Sequence, residues 1–166
     1  MSQTTTENSA ALALRQALGE YATGVAIVTA RDAAGDPVGL TINSFAAVSL
    51  EPPLVLWSLG RQSQLIEPFT LRSHWAINVL GVDQKPLAER FSQPGAARFA
   101  GLEWKLGAGG TPLLAGCSAW FECRSETRHD GGDHLLLIGR VEHYERASRP
   151  PLLFHGSRYF TLGEPA

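Results

Sequence analysis

The chain has 166 residues, of which 44% are hydrophobic and 18% are charged, and its formal net charge is -2. This length fits one domain with a sizeable core, and a chain without a dense Lys/Arg stripe is not expected to bind nucleic acid. The apolar runs are far shorter than the roughly 20 residues of a membrane span, so no membrane partner is expected. We predict a disordered tail over residues 1–9 and a single domain over residues 10–166.

The first part of the chain predicts one helix and one hairpin. Leu14, Leu18 and Tyr21 recur at helical spacing, which predicts a helix that packs with one face. Residues 25–30 and 38–42 are strand-like and are joined by turn-forming residues, so we expect them to pair as a hairpin.

The middle of the chain predicts two strands, each followed by a helix. Residues 54–59 are apolar on both faces, which is typical of a strand in the centre of a sheet. Ser63 is suited to cap a short helix after this strand. Residues 74–80 form the next strand, and Asp83 is suited to cap a helix that has Pro86 in its first turn.

The last part of the chain predicts a second hairpin. Residues 117–124 and 134–144 flank a strong turn signal, and residues 152–160 return along the sheet. In total we expect about seven or eight strands and two or three short helices, without strand-helix alternation. These features favour a mainly β protein whose sheet closes into a small antiparallel barrel.

The two cysteines are expected to be structural. Cys117 and Cys123 lie on what we interpret as one strand, on the same face but too far apart to form a disulfide. We therefore predict two buried thiols in a cytoplasmic protein. The composition indicates a slightly apolar surface, which leaves room for a subunit interface, so we expect a homodimer.

Several classes of site have no support in the sequence. The chain contains neither the Gly-x-Gly-x-x-Gly fingerprint of a dinucleotide fold nor a P-loop, so any nucleotide must be bound in another way. The histidines are scattered without the spacing of metal ligands, and we expect no metal site. A Gly-x-Ser-x-Gly nucleophile elbow is also missing.

Polar side chains interrupt an apolar strand at Thr41, Asn43 and Ser44. A β-bulge whose side chains bond the local backbone explains them equally well. A ligand site is favoured by Arg61 and Ser63, because a helix start offers free N–H groups to a phosphate and an arginine adds a charge-assisted bond. An arginine that is simply solvated in a turn is the alternative for Arg61.

Two later motifs are weaker on their own. His134 follows a Gly-Gly-Asp turn at the entrance of a strand, where a histidine is often only a half-exposed side chain. Arg158 and Tyr159 lie near the end of the chain, and a tyrosine on an edge strand usually packs.

These stretches together resemble the flavin reductase family, which has the FMN-binding split-barrel fold, over about residues 14–162. The matching motifs are Thr23-Gly24-Val25-Ala26-Ile27-Val28-Thr29, Gly39-x-Thr41-x-Asn43-Ser44-Phe45, Val48-Ser49-Leu50-x-Pro52-Pro53-Leu54-Val55, Ile77-Asn78-Val79-Leu80 and Gly132-Asp133-His134. The family includes the small reductase components of two-component flavin-dependent monooxygenases.

The resemblance implies an enzyme, an NAD(P)H:flavin oxidoreductase. It would move a hydride from NADH or NADPH to FMN or FAD and release reduced flavin, by diffusion, to a partner monooxygenase. Carried over to this chain, the flavin-binding residues are Thr41, Asn43, Ser44, Ser58, Leu59, Arg61, Ser63, Phe91 and Arg98. His134 is implied on the nicotinamide side as the candidate catalytic residue, with Arg158 and Tyr159 as helpers.

Two other functions remain as alternatives. A split barrel of this kind can be a flavin-holding electron carrier or a redox-sensing FMN-binding module without efficient NAD(P)H turnover. An oxidase acting on pyridoxamine phosphate can share the barrel, but it would need more basic residues around the substrate phosphate. FMN and FAD, and likewise NADH and NADPH, also remain alternatives.

Overall fold

The computed structural model describes residues 3–95 and 97–165. The helices are α1 (Gln3–Gly19), α2 (Ile66–Leu71) and α3 (Lys85–Ser92). The strands are β1 (Thr23–Gly24), β2 (Ala26–Arg31), β3 (Pro37–Ile42), β4 (Ala46–Leu50), β5 (Pro53–Gly60), β6 (His74–Val79), β7 (Trp104–Leu106), β8 (Pro112–Leu114), β9 (Ala119–Gly131), β10 (His134–Arg146), β11 (Leu153–His155) and β12 (Arg158–Phe160). The predicted mainly β class with few helices is confirmed.

Seven strands form the main sheet in the order β3-β2-β6-β9-β10-β5-β4. Each neighbouring pair is antiparallel. Strands β1, β11 and β12 form a separate small sheet, and β7 pairs with β8. Both predicted hairpins, β2 with β3 and β9 with β10, are confirmed.

The main sheet is strongly curved. The hydroxyl of Ser44, just after β3, accepts a hydrogen bond of 3.1 Å from the backbone N–H of Ser58 in β5. Four strands lie between β3 and β5 in the sheet order, so a flat sheet would hold them roughly 24 Å apart. The two ends of the sheet therefore approach each other around its inner face.

The inner face encloses an aromatic core. Trp57 packs edge-on against Phe69 of α2 and Trp75 of β6, with ring centroids 4.9 and 5.9 Å apart. A second cluster, which includes Leu80, Phe91 and Leu152, packs under α3 and the small sheets. Strand β2 serves both clusters because its residues alternate between them.

The first helix differs from the prediction. It begins at Gln3, so residues 3–9 of the expected disordered tail are helical; that stretch contains neither Gly nor Pro to stop the helix. The apolar face was expected to be packed, but Leu14, Leu18 and Tyr21 are 61, 67 and 80% exposed. The helical spacing identified an apolar face, but it carried no information about what covers that face.

Three local predictions are also corrected. The N-cap residues are Leu65 for α2 and Gln84 for α3, instead of Ser63 and Asp83. Strand β5 lies next to the edge strand β4, away from the centre of the sheet. Only every second side chain of β5 is fully buried, because one face covers the aromatic core and the other is half covered.

The two thiols are free and buried, as predicted. They do not share a strand, however, since Cys117 precedes β9 and Cys123 lies within it. Each cysteine packs in a different core cluster. In the described part of the chain, none of the helices combines the length and the apolar character that crossing a membrane requires.

Candidate functional site

Two adjoining cavities form a trough along the outside of β3. The first has a volume of about 480 Å³ and lies between β3, residues 62–65, the end of α3 and Arg98. The second has a volume of about 410 Å³ and lies between α1, β3 and the β11–β12 hairpin. Thr41 and Ser92 line both cavities, so the two adjoin, and together they are called the trough. Each is within the usual size range of a cofactor site.

Arg98 makes one end of the trough cationic. Its guanidinium group donates hydrogen bonds to the backbone carbonyls of Gly39, at 2.5 Å, and Gln93, at 2.5 and 2.9 Å. These bonds use three N–H groups, and the remaining ones can serve a ligand. Burial lowers the pKa of Arg98 from its ordinary value, but an arginine remains charged near neutral pH.

The charge of Arg98 is not opposed by any described lining residue of the trough. None of the described residues that line either cavity is acidic. The hydroxyl of Ser63 accepts the Leu65 N–H at 3.2 Å and faces the same cavity as Arg98. A cation and a hydroxyl in an acid-free cavity suit a phosphate group.

The floor of the trough is apolar. Phe91 is fully buried and packs edge-on against Phe99, with ring centroids 5.1 Å apart. The backbone of β3 comes close to this ring at Gly39, where an added Cβ would lie 2.9 Å from the Val28 carbonyl oxygen and 3.1 Å from Phe91. Only glycine fits this approach. Leu40 also lines the cavity, so the side chains at its floor are apolar.

The polar residues at the end of β3 have two roles: some hold the fold together through hydrogen bonds, and some line the trough. The Thr41 hydroxyl donates to the Ala88 carbonyl at 2.7 Å, which ties β3 to α3, and the residue lines both cavities. Asn43 is exposed and lines the second cavity. Ser44 and Ser58 bond to each other and help to curve the sheet.

Tyr159 forms part of the far wall of the trough. It lines the second cavity and packs edge-on against Phe154, with ring centroids 5.3 Å apart. Burial, assisted by the Glu89 carboxylate, raises the pKa of Tyr159, so its hydroxyl remains a neutral donor. The neighbouring Arg158 is exposed and lines neither cavity.

His134 and Arg61 lie at the β9–β10 turn, and neither lines the trough. The His134 imidazole pairs with the Asp133 carboxylate at 2.8 Å between Nδ1 and Oδ1. The Arg61 guanidinium contacts the turn, donating to the Gly132 carbonyl at 2.9 Å and pairing with Asp130.

The trough therefore gathers half of the twelve predicted site residues. Those that line the trough are Thr41, Asn43, Ser63, Phe91, Arg98 and Tyr159. The Leu59 side chain does not reach it, because this residue is fully buried in the aromatic core. Sequence reasoning missed Arg15, Leu40, Leu65 and Ser92, which also line the trough. Of these four residues, only Ser92 had a local signal, because it directly follows the predicted site residue Phe91.

This arrangement can hold an elongated ligand with a flat ring and an anionic group. Among the described lining residues, no nucleophile is paired with a base, and a site that only binds and orients a reactive cofactor needs no such pair. The fold and the trough define a cofactor-binding β protein. The chain belongs to the family described as the flavin reductase like domain, whose model matches residues 18–163.

Relatives span much of the chain. A Rhizobium meliloti protein named "Probable flavin reductase" is 45% identical over 90% of this chain and 48% of its own length. The Agrobacterium fabrum protein "FMN reductase (NADH) SmoA" is 44% identical over 87% of this chain and 82% of its own. This chain thus spans about half of the Rhizobium protein and most of SmoA.

Solved structures share the fold. The Streptomyces globisporus NADH:FAD oxidoreductase SgcE6, in complex with NAD and FAD fragments, superposes with a TM-score of 0.88. It is 35% identical, over 93% of this chain and 94% of its own. At 35% identity, the similarity extends beyond the fold to the sequence.

Proposed function

We propose that this chain is an NAD(P)H:flavin oxidoreductase that reduces FMN or FAD and supplies reduced flavin to a separate monooxygenase. The proposal is supported above all by the trough, whose described lining residues include no acid, and which has an apolar floor at Phe91 and a cation at Arg98. The apolar floor suits the flavin ring, and the cation suits the flavin phosphate. SmoA, an FMN reductase that uses NADH, and SgcE6, an NADH:FAD oxidoreductase, support NADH as the donor.

Within the trough, Arg98 and Ser63 hold the phosphate, and Phe91 supports the ring from below. Thr41 and Asn43 contact the ring and the ribityl chain, with Ser44, Ser58 and the Leu59 backbone close by. When bound, flavin supplies the hydride-accepting N5 atom. The protein provides orientation and excludes water, which is why no acid-base pair is required.

The nicotinamide donor is assigned to the side of the β9–β10 turn. His134 contacts the donor, and Asp133 orients its ring through the 2.8 Å contact at Nδ1. Tyr159 provides a neutral hydroxyl at the far wall of the trough, and the exposed Arg158 beside it assists in binding the donor.

We also propose that the main sheet closes into a split barrel. The Ser44–Ser58 hydrogen bond joins the two ends of the sheet, and residues from β3 and β5 share one core cluster. We further propose that residues 10–166 act as a single domain in the cytoplasm, where two free thiols remain reduced.

A homodimer is proposed from the exposed apolar surface. Large apolar side chains of α1 and of the loop after it are more than half exposed, namely Leu12, Leu14, Leu18 and Tyr21. Leu14, Leu18 and Tyr21 recur at helical spacing and share one face, and an exposed apolar face of this kind marks an interaction site. Because Leu18 also lines the trough, a second copy on this face would border the cofactor site.

The test is a flavin reductase assay with each pairing of NADH or NADPH with FMN or FAD. Loss of absorbance at the nicotinamide band that requires added flavin supports the enzyme. Tight flavin binding without nicotinamide oxidation would instead support the flavin-holding module. Transfer by diffusion is supported if a flavin monooxygenase separated by a dialysis membrane still receives reduced flavin under anaerobic conditions.

A further inference from the structure

Arg61 makes three contacts with the turn that carries His134. Its Nε donates to the Gly132 carbonyl at 2.9 Å. Its terminal nitrogen Nη2 pairs with the Asp130 carboxylate. Its backbone N–H donates to the Asp133 carbonyl at 2.9 Å. One residue thus bonds to three of the four residues that precede His134.

Asp130 and Gly131 belong to the β9–β10 ladder, and His134 pairs with Gly60 of β5, but the side chains of the turn are not packed. Asp130 and Asp133 have side chains that are 85 and 92% exposed, and Gly132 is in the left-handed region, with φ of 73°. A segment without buried side chains opens easily unless hydrogen bonds hold it. The His134 ring depends on this turn, since its Nδ1 is bonded to the Asp133 carboxylate.

The same segment that holds the turn also reaches the trough. Gly60 is the register partner of His134, and the Gly60 carbonyl accepts the Ser63 N–H at 2.9 Å. Residues 60–63 therefore form one small turn. Its first half contacts the β9–β10 turn through Arg61, and its second half lines the trough through Ser63.

We propose that Arg61 is a positioning residue that fixes the turn carrying His134 against the phosphate end of the flavin trough. This inference rests on the proposed function. It assigns Arg61 to donor binding, acting through Asp133 and His134, in place of direct contact with the flavin phosphate. A phosphate role would require the guanidinium group to leave Gly132 and Asp130 and to enter a cavity that it does not line.

The test compares Arg61→Gln, Arg61→Lys and Asp130→Asn with a charge control, Arg146→Gln, at the far end of β10. Steady-state kinetics give the KM for NADH and kcat, flavin titration gives the Kd for FMN, and amide hydrogen exchange follows residues 129–135. Arg61 and Asp130 are partly exposed, with side chains 45 and 85% accessible, so every variant is expected to fold.

Arg61→Gln is expected to raise the KM for NADH by about three- to tenfold, the range for a partly exposed charged contact, with the Kd for FMN changed less than about twofold. Exchange over the turn becomes faster. Asp130→Asn acts in the same direction, and Arg61→Lys recovers part of the loss. A double variant that combines Arg61→Gln with Asp130→Asn adds little to Arg61→Gln, because both substitutions remove the same ion pair. Arg146→Gln behaves like the wild type.

Weaker FMN binding with an unchanged KM for NADH would overturn the proposal in favour of the phosphate role. Unchanged exchange over the turn would also overturn it, whatever the kinetics show. If the wild-type protein oxidises neither nicotinamide, the proposed function fails by itself, and faster exchange in Arg61→Gln still supports the contact between Arg61 and the turn.

Discussion

The side-chain oxygen of Asn78 accepts a hydrogen bond of 2.8 Å from the backbone N–H of Leu114, in the buried layer between β6 and β8. The Asn78 amide nitrogen donates to the Ile27 carbonyl and to the Thr29 hydroxyl, each at 3.0 Å. Thr29 in turn donates to the Pro112 carbonyl at 2.5 Å. This network joins the main sheet to the β7–β8 hairpin beside the second core cluster.

Asn78→Ala is expected to lower the free energy of unfolding by about 2–4 kcal/mol, because it leaves a buried N–H and a buried carbonyl without partners. Urea denaturation followed by circular dichroism measures the loss. Asn43→Ala serves as the control, since Asn43 is exposed and should change stability little. Equal midpoints for the two variants would contradict the structural role of Asn78.

The sequence predicted the elements whose signal is local. The β9–β10 hairpin follows from the Gly-rich turn before His134, and the β2–β3 hairpin from its turn residues. Helix α3 has Pro86 in its first turn and buries Phe91, as its pattern indicated. These features depend on neighbours in the chain, which a sequence shows directly.

The parts that were missed depend on contacts between distant residues. Arg98 was predicted through the family resemblance, but its bond to Gly39, 59 positions earlier, was missed because it forms only where the loop after α3 returns to β3. The direction of the Arg61 side chain depends on where the β9–β10 turn lies relative to β5. The exposed face of α1 had the pattern of a packed helix, because spacing identifies an apolar face and is silent about its partner.

The buried thiol of Cys117 should make the protein less stable in alkali. Burial raises the pKa of Cys117 from 9.0 to about 12. The unfolded chain therefore loses this proton at a lower pH than the folded protein, so the stabilisation is complete below about pH 9 and is lost as pH rises towards 12. The stability of the wild type should fall faster with pH than that of Cys117→Ala.

Chemical denaturation at several values from about pH 7 to pH 10.5 measures this difference, whose slope should approach about 1.4 kcal/mol per pH unit above pH 9. The comparison with Cys117→Ala removes the contribution of lysines and tyrosines, which titrate in both proteins. Parallel curves for the two proteins would contradict a protonated, buried thiol.

Leu14→Glu is expected to dissociate the proposed homodimer, because a charge placed in an apolar interface must be buried without a partner. Sedimentation velocity should show a dimer for the wild type and a monomer for the variant. Leu162→Glu is the matched control, since Leu162 is 57% exposed and Leu14 is 61% exposed. Dissociation of the control alone would place the interface away from α1.

Arg98→Gln should separate phosphate recognition from ring recognition. The variant is expected to bind FMN about 10- to 100-fold more weakly, the cost of losing a charge-assisted hydrogen bond in a partly buried site, while riboflavin affinity changes less than about twofold. Fluorescence titration with each flavin measures both affinities. Riboflavin has no phosphate, so it also controls for the contacts that Arg98 makes with Gly39 and Gln93. Equal losses for both flavins would mean that Arg98 only supports the loop, and no loss for FMN would place the phosphate elsewhere.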